Sequence, residues 1–167
     1  MSYEIARVEI DAQRILNYAS DKWTDGKTMG LSSKRQSNVV RTDEAWIYDI
    51  VKSVKHGYNF RISAIESLQI TRYAETDHYD FHYDGDGVTP IHAPSTPYHG
   101  KTRKLSMSIL LNDEYEGGEF EFYPSIKLNP RKGEAIVFPS YMLHRVLPVT
   151  QGIRYSLVAW FTGDPFV

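Results

Sequence analysis

Cysteine is absent from this 167-residue chain. That excludes disulfides, thiolate metal sites and cysteine nucleophiles, and it fits a reducing compartment. Charge of one sign is also lacking: the formal net charge is -2 and the pI is near 6.3. Such a chain has no general attraction for nucleic acid or anionic membrane, and binding a polyanion would require a local basic patch. No apolar run is long enough to span a bilayer, and the opening Met1-Ser2-Tyr3-Glu4-Ile5 lacks the basic-then-apolar pattern of an export signal. The expectation is a soluble, cytoplasmic protein without a membrane partner. At 19.2 kDa it is most simply one domain spanning residues 1–167, large enough to bury a core.

Helical periodicity is confined to the first third. Asp11 can cap a helix whose Ala12, Ile15, Leu16 and Ala19 form one apolar stripe. Thr42 or Asp43 can open a second, with Ile47, Ile50, Val51 and Val54 buried and Gly57 as its stop. Between them, residues 21–42 read as a long irregular segment, a solvated connection or a flap offering Lys34, Arg35 or Asn38 to substrate. From Phe60 onward the texture is of short β segments at 61–73, 77–84, 103–111, 119–123, 134–138, 143–148 and 153–161. Strands in succession without helical interruption argue a mainly β fold, a sandwich or jelly roll, with the leading helices packed on one sheet. Residues 1–58 are thus expected as helical support and 59–167 as the jelly-roll core.

The chemistry concentrates at His82-Tyr83-Asp84. Residues two apart on a strand share a face, so the imidazole and carboxylate point together while Tyr83 points away. Taken alone, a His-x-Asp pair is most often a hydrogen-bonded surface feature. A third ligand would have to come from a neighbouring strand, and His144 is the leading candidate. Two His and one carboxylate are the facial triad of non-haem Fe(II) oxygenases. Pro148 to Gly152 reads as a hairpin connection that brings Arg154 back beside the strand of His144. A planar guanidinium there suits a dicarboxylate co-substrate, with Ser156 on the same face adding a hydrogen bond.

The loop 85–102, rich in Gly and Pro, starts directly after Asp84 and is expected to act as a lid. Its His92 and His99 are expected to be exposed or substrate-facing, because a flexible loop holds metal ligands poorly. His78 shares a face with His82, but about 13 Å of extended chain separates them, too far for one ion. The paired glycines Gly117-Gly118 mark a tight hairpin ahead of Phe120 and Phe122, which read as core.

These pieces together resemble the Fe(II)- and 2-oxoglutarate-dependent dioxygenases, in the prolyl 4-hydroxylase-like branch that includes the PKHD-type hydroxylases. The resemblance rests on Tyr73 and Tyr79 ahead of His82-x-Asp84, and on Glu116-Gly117-Gly118-Glu119-Phe120. It continues through Pro130-x-x-Gly133-x-Ala135-x-x-Phe138-Pro139 to His144 with Arg154 ten positions later. Thr76 stands where the family pattern usually has Gly, and Arg154 where collagen-type enzymes use Lys. The resemblance implies a double-stranded β-helix, with Fe(II) on His82, Asp84 and His144 and no catalytic side chain beyond the metal centre. It also implies 2-oxoglutarate anchored by Arg154 with Tyr73 or Ser156, O2 as oxidant, and ascorbate as a reductant. Asp84 supplies the carboxylate that halogenases of this superfamily lack, so hydroxylation is expected. The implied substrate is a proline residue in a peptide or protein; Lys34, Arg35 and Asn38 of the flap, with Trp160, are the candidate substrate contacts. A free amino acid, small metabolite or nucleobase is the alternative, nucleic acid being disfavoured by the charge. A non-catalytic jelly-roll binding module is the rival from another class.

Overall fold

The computed structural model describes residues 2–26, 34–91 and 96–167. The chain opens with strand β1 (Glu4–Arg7), helix α1 (Ala12–Ala19) and the short strands β2 (Thr24–Asp25) and β3 (Arg35–Gln36). Strand β4 (Asn38–Thr42) and helix α2 (Ala45–Ser53) follow, then β5 (Ala64–Ile65), β6 (Leu68–Tyr73) and β7 (His78–His82). Next come β8 (Thr102–Leu110), β9 (Tyr115–Gly117), β10 (Phe120–Phe122) and β11 (Ile126–Leu128). The chain closes with β12 (Glu134–Pro139), β13 (His144–Val146), β14 (Val149–Gly152) and β15 (Arg154–Gly163).

The strands form a jelly roll of two facing antiparallel sheets. The larger runs β1-β12-β8-β15-β6-β4-β2, with β5 alongside β15, and the smaller runs β11-β10-β13-β7-β3. A two-stranded ribbon pairs β14 with β9. One face of the larger sheet is sealed by the helices. Ala12, Ile15 and Ala19 of α1 and Ile47 and Val51 of α2 pack with Ile70, Leu105, Ile109, Leu157 and Ala159 in one buried cluster. Each fully buried Leu or Ile there stabilises by roughly 1.5–3 kcal/mol. Alternation then turns the intervening residues of the same strands, Gln69, Thr71, Ser106, Ser108 and Ser156, toward the smaller sheet. A second cluster, including Phe120, Phe122, Ile136, Phe138 and Met142, closes the space between the sheets.

Asp11 caps α1 as expected, its side chain accepting from the Arg14 N–H at 3.1 Å. Helix α2 begins one residue later than expected, after Glu44, which makes no side-chain cap bond. Thr42 instead accepts the Glu44 N–H through its hydroxyl at 3.1 Å, and Asp43 binds Tyr48 and Ser67. The helix also stops at Ser53, before Gly57, because Val54 turns to extended backbone with ψ 123°. Residues 1–58 are more than helical support: β1 and β2 form the two edges of the larger sheet, β4 pairs with β6, and β3 forms an edge of the smaller one. The segment 21–42 therefore carries three strands, while its residues 27–33 lie outside those described, as do residues 92–95.

The hairpin expected across residues 148–152 does not form. Strand β13 lies in the smaller sheet between β10 and β7, whereas β15 lies in the larger one between β8 and β6. Residues 149–152 are themselves a strand paired with β9, so the chain crosses from one sheet to the other. Arg154 and His144 consequently approach the interior from opposite walls.

Candidate metal centre

His82 ends β7, and Asp84 follows two residues later. The neighbouring strand β13 places His144 directly opposite His82 in register, so the two imidazoles meet across one strand pair. The Asp84 and Gly85 N–H groups both donate to the Ser140 carbonyl, at 2.9 and 3.2 Å, tying this segment to the turn that delivers His144. The Asp84 Oδ1 atom is 3.4 Å from the Nε2 of His82 and 3.4 Å from that of His144. The three potential ligand atoms lie within 4.8 Å of one another.

The surroundings fix the donor atoms. Each imidazole gives its Nδ1–H to a backbone carbonyl two residues back: His82 to Asp80 at 2.7 Å and His144 to Met142 at 2.8 Å. In the neutral ring this leaves the Nε2 lone pair free for a metal. Tyr79 stacks on His82 at 3.6 Å between ring centres and Phe120 stacks on His144 at 5.2 Å, holding both ring planes. The other Asp84 oxygen accepts from the Ser106 hydroxyl at 2.6 Å, and Ser106 in turn meets the Ser140 hydroxyl at 2.9 Å.

Burial lowers the His82 pKa and so favours its neutral form. Burial alone would raise that of Asp84, but the charge and hydrogen bonds of His144 and His82 reverse this and hold it well below the usual carboxylate range. A neutral imidazole at His82 beside an ionised Asp84 is the pairing that metal coordination needs. Two nitrogens and one oxygen converging from one side, with no thiolate in the chain, suit Fe(II) with open positions left for other ligands.

The triad lines a cavity of about 220 Å³ between the sheets, and Arg154 lines it from the other side. Arg154 is only 1% exposed, and among the described residues no carboxylate reaches it. Its Nε has no hydrogen-bond partner, and its guanidinium lies 5.6 Å from the ring centre of Tyr73, its cross-strand neighbour. Gly118, with φ +62°, makes room for it, since a Cβ there would stand 3.0 Å from the Arg154 Cδ. A buried cation without a counter-ion is costly, and an incoming carboxylate would relieve it. Ser156, two residues on, is buried on the same cavity wall. Burial raises the Tyr73 pKa, against the pull of Arg35 and Arg154, so its phenol stays protonated at neutral pH.

The expected substrate residues divide. Trp160 and Arg35 line the cavity, and the Trp160 Nε1 is buried without a partner. Asn38 is on the opposite face of β4, alternating with Val39 and Arg41, and accepts from Arg72 at 3.2 Å. Lys34 occupies the turn before β3 and does not line the cavity. His99 is exposed, His78 stands apart from the triad, and His92 lies outside the described residues. Arg41, Gln69, Arg103 and Ser106 also line the cavity without having been singled out. For Gln69 and Ser106 the signal was present in the alternation of Gln69, Thr71 and Tyr73, and of Ser106 and Ser108, along strands whose other face is apolar.

A family model described as the 2OG-Fe(II) oxygenase superfamily matches residues 68–162. A protein described as a putative prolyl 4-hydroxylase of Acanthamoeba polyphaga mimivirus is 26% identical over 173 residues, covering 92% of this chain and 70% of that one. A PKHD-type hydroxylase of Xylella fastidiosa (strain M12) is 37% identical over 101 residues, 55% of this chain and 42% of that protein. The match thus spans less than half the length of the Xylella relative. The solved structure of a viral collagen prolyl hydroxylase from Paramecium bursaria Chlorella virus-1, in its 2OG complex, superposes with a TM-score of 0.70. It shares 23% identity and covers 98% of this chain and 97% of that one, a likeness that carries the fold.

Proposed function

The chain belongs to the 2OG-Fe(II) oxygenase superfamily, and from that premise we propose that it hydroxylates an unactivated C–H of a proline residue in a peptide or protein. The observation that carries the reading is one cavity with the His82, Asp84, His144 triad on one wall and the buried, acid-free Arg154 on the other. Family membership implies Fe(II), 2-oxoglutarate and O2. The proline substrate is supported by the likeness to the mimivirus protein described as a putative prolyl 4-hydroxylase and to the Chlorella virus collagen prolyl hydroxylase.

In this proposal His82, Asp84 and His144 hold the iron through Nε2, Oδ1 and Nε2. Bound there, Fe(II) with 2-oxoglutarate and O2 supplies the oxidant that turns C–H into C–OH, with 2-oxoglutarate leaving as succinate and carbon dioxide. Arg154 pairs with the far carboxylate of 2-oxoglutarate, in a fork that a carboxylate can meet with two hydrogen bonds. Ser156 or the protonated Tyr73 adds a third. The Ser140 and Ser106 hydroxyls keep Asp84 oriented, while Phe120, Phe138 and Tyr79 pack around the imidazoles and exclude water. Ascorbate, as a reductant that keeps the iron ferrous, belongs to the same proposal.

Fe(II) titration combined with oxygen-dependent succinate formation in the absence of prime substrate tests this. Ala at His82, Asp84 or His144 is expected to remove most iron binding and all succinate formation, whereas Ala at His99 leaves both. A parent protein that binds iron fully yet forms no succinate would instead be a binding module.

A further inference from the structure

A second set of cations surrounds the cavity. Arg41 of β4 pairs in register with Gln69 of β6, Gln69 with Val158 of β15, and Val158 with Ser108 of β8. All of these line the cavity, so Arg41 stands at the outer end of one transverse row of cavity residues. Arg154 belongs to a different row, opposite Tyr73. Gln69 and Tyr73 are four positions apart on β6, about 13 Å of strand, so Arg41 and Arg154 serve different parts of the space. Arg35 enters from the smaller sheet, opposite Tyr79. It is 7% exposed, gives its Nε–H to Ser37 at 2.9 Å and lies over the Tyr79 ring at 4.8 Å.

The charges around this rim do not balance. Arg103 is matched by Glu66 through hydrogen bonds of 2.7 and 3.0 Å, and its guanidinium stacks 3.9 Å from the Trp160 ring centre. Among the described residues no carboxylate lies within ion-pair reach of Arg35 or Arg41. Partial burial lowers the Arg41 pKa, and repulsion from Arg103 and Arg35 lowers it further, against a smaller pull from Glu66. Beside Arg41 the Gln69 side chain gives its N–H to Thr71 at 3.1 Å and leaves a buried oxygen without a partner. Uncompensated guanidiniums facing a shared cavity attract and orient an anion.

We propose that the prime substrate carries a carboxylate close to its reacting carbon, and that Arg41, backed by Arg35, binds it. This inference names the substrate class for the oxygenase proposed above and rests on that reading. The carboxylate has two possible sources, an acidic residue next to the target in a peptide or the terminal carboxylate of the substrate itself. Arg41 is thus a specificity residue distinct from the group that anchors 2-oxoglutarate.

Matched acid and amide probes test it by anaerobic calorimetry on the full chain loaded with Fe(II) and 2-oxoglutarate. One pair is acetyl-Glu-Pro-Gly-amide against acetyl-Gln-Pro-Gly-amide, and the other is acetyl-Gly-Pro as free acid against its amide. The acid of one pair is expected to bind at least tenfold more tightly, and the pair that shows this identifies the source. Arg41→Gln, which removes the guanidinium at an exposed position, should bring that acid to the level of its amide, whereas Arg131→Gln on a remote turn should not. Equal binding of acids and amides, no measurable binding of any probe, or a preference that survives Arg41→Gln overturns the inference. Succinate formation without prime substrate, measured in the same preparations, keeps the two readings apart. Its presence in the iron-loaded parent supports the oxygenase reading whatever the acid and amide probes show. Its absence from the iron-loaded parent would remove the oxygenase reading and this inference with it.

Discussion

Thr76 has φ +73°, the only positive value at a non-glycine position among the described residues. A β-branched side chain is disfavoured in that conformation by roughly 1–2 kcal/mol. The turn nevertheless holds, because the Thr76 N–H donates to the Val149 carbonyl at 2.8 Å and Asp77 accepts the Ala74 N–H at 2.9 Å. The glycine usual at this place in the family pattern is therefore explained by backbone geometry. Thr76→Gly should stabilise the fold by about 0.5–1 kcal/mol, the relief being reduced by the extra freedom of glycine in the unfolded chain. Urea unfolding checks this, and a less stable variant would contradict it. His82 makes a second residue-level statement. Its burial lowers its pKa, so below about pH 6.5 the unfolded chain binds a proton that the folded chain resists. Stability of the metal-free protein should accordingly fall as pH drops through that range. Asp84, held below its usual range, contributes stability that is intact above the unfolded carboxylate pKa and lost only at more acidic pH. Urea midpoints measured from pH 8 to pH 4.5 should decline less steeply in His82→Gln, and an unchanged decline would show that His82 is not the group responsible.

At the scale of the element, two-residue alternation was the informative signal. It placed His82 and Asp84 together, separated the apolar and polar faces of β8, and aligned Arg154 with Ser156. Applied to β4, the same rule would have put Arg41 on the cavity face and Asn38 on the other, but the glycines and serines before it read as a loop. Short edge strands such as β2 and β3 have too few residues for alternation to emerge, and pairing with β4 and β7 defines them. The hairpin at 148–152 was misread for a related reason: local turn residues say where a chain bends and not which sheet receives it. Asn38→Ala provides a direct check on the face assignment. It should cost no more than about 1 kcal/mol of stability, for the bond to Arg72, and leave 2-oxoglutarate affinity unchanged. A marked loss of co-substrate affinity in calorimetry would place Asn38 in the site after all.

For the whole molecule, the site is an agreement between two sheets. The smaller sheet brings the His82, Asp84, His144 triad, and the larger brings Arg154, Tyr73 and Ser156 to the same cavity. The jelly roll and the ligand types were legible because strand periodicity and a few chemically specific residues survive in a linear reading. Arg103 with Glu66, and Arg41 with Gln69, were not, because their meaning lies in neighbours across the strands of one sheet, 37 and 28 residues apart in the chain. In the proposed function Arg154 makes this cavity a 2-oxoglutarate site and not merely a metal site. Anaerobic calorimetry of 2-oxoglutarate binding to the Fe(II)-loaded parent and to Arg154→Met tests it most directly. The predicted result is unchanged iron affinity with 2-oxoglutarate weakened by roughly 2–5 kcal/mol, and little difference between the two proteins for pyruvate, which lacks the far carboxylate. Equal affinity of parent and variant for 2-oxoglutarate would contradict it.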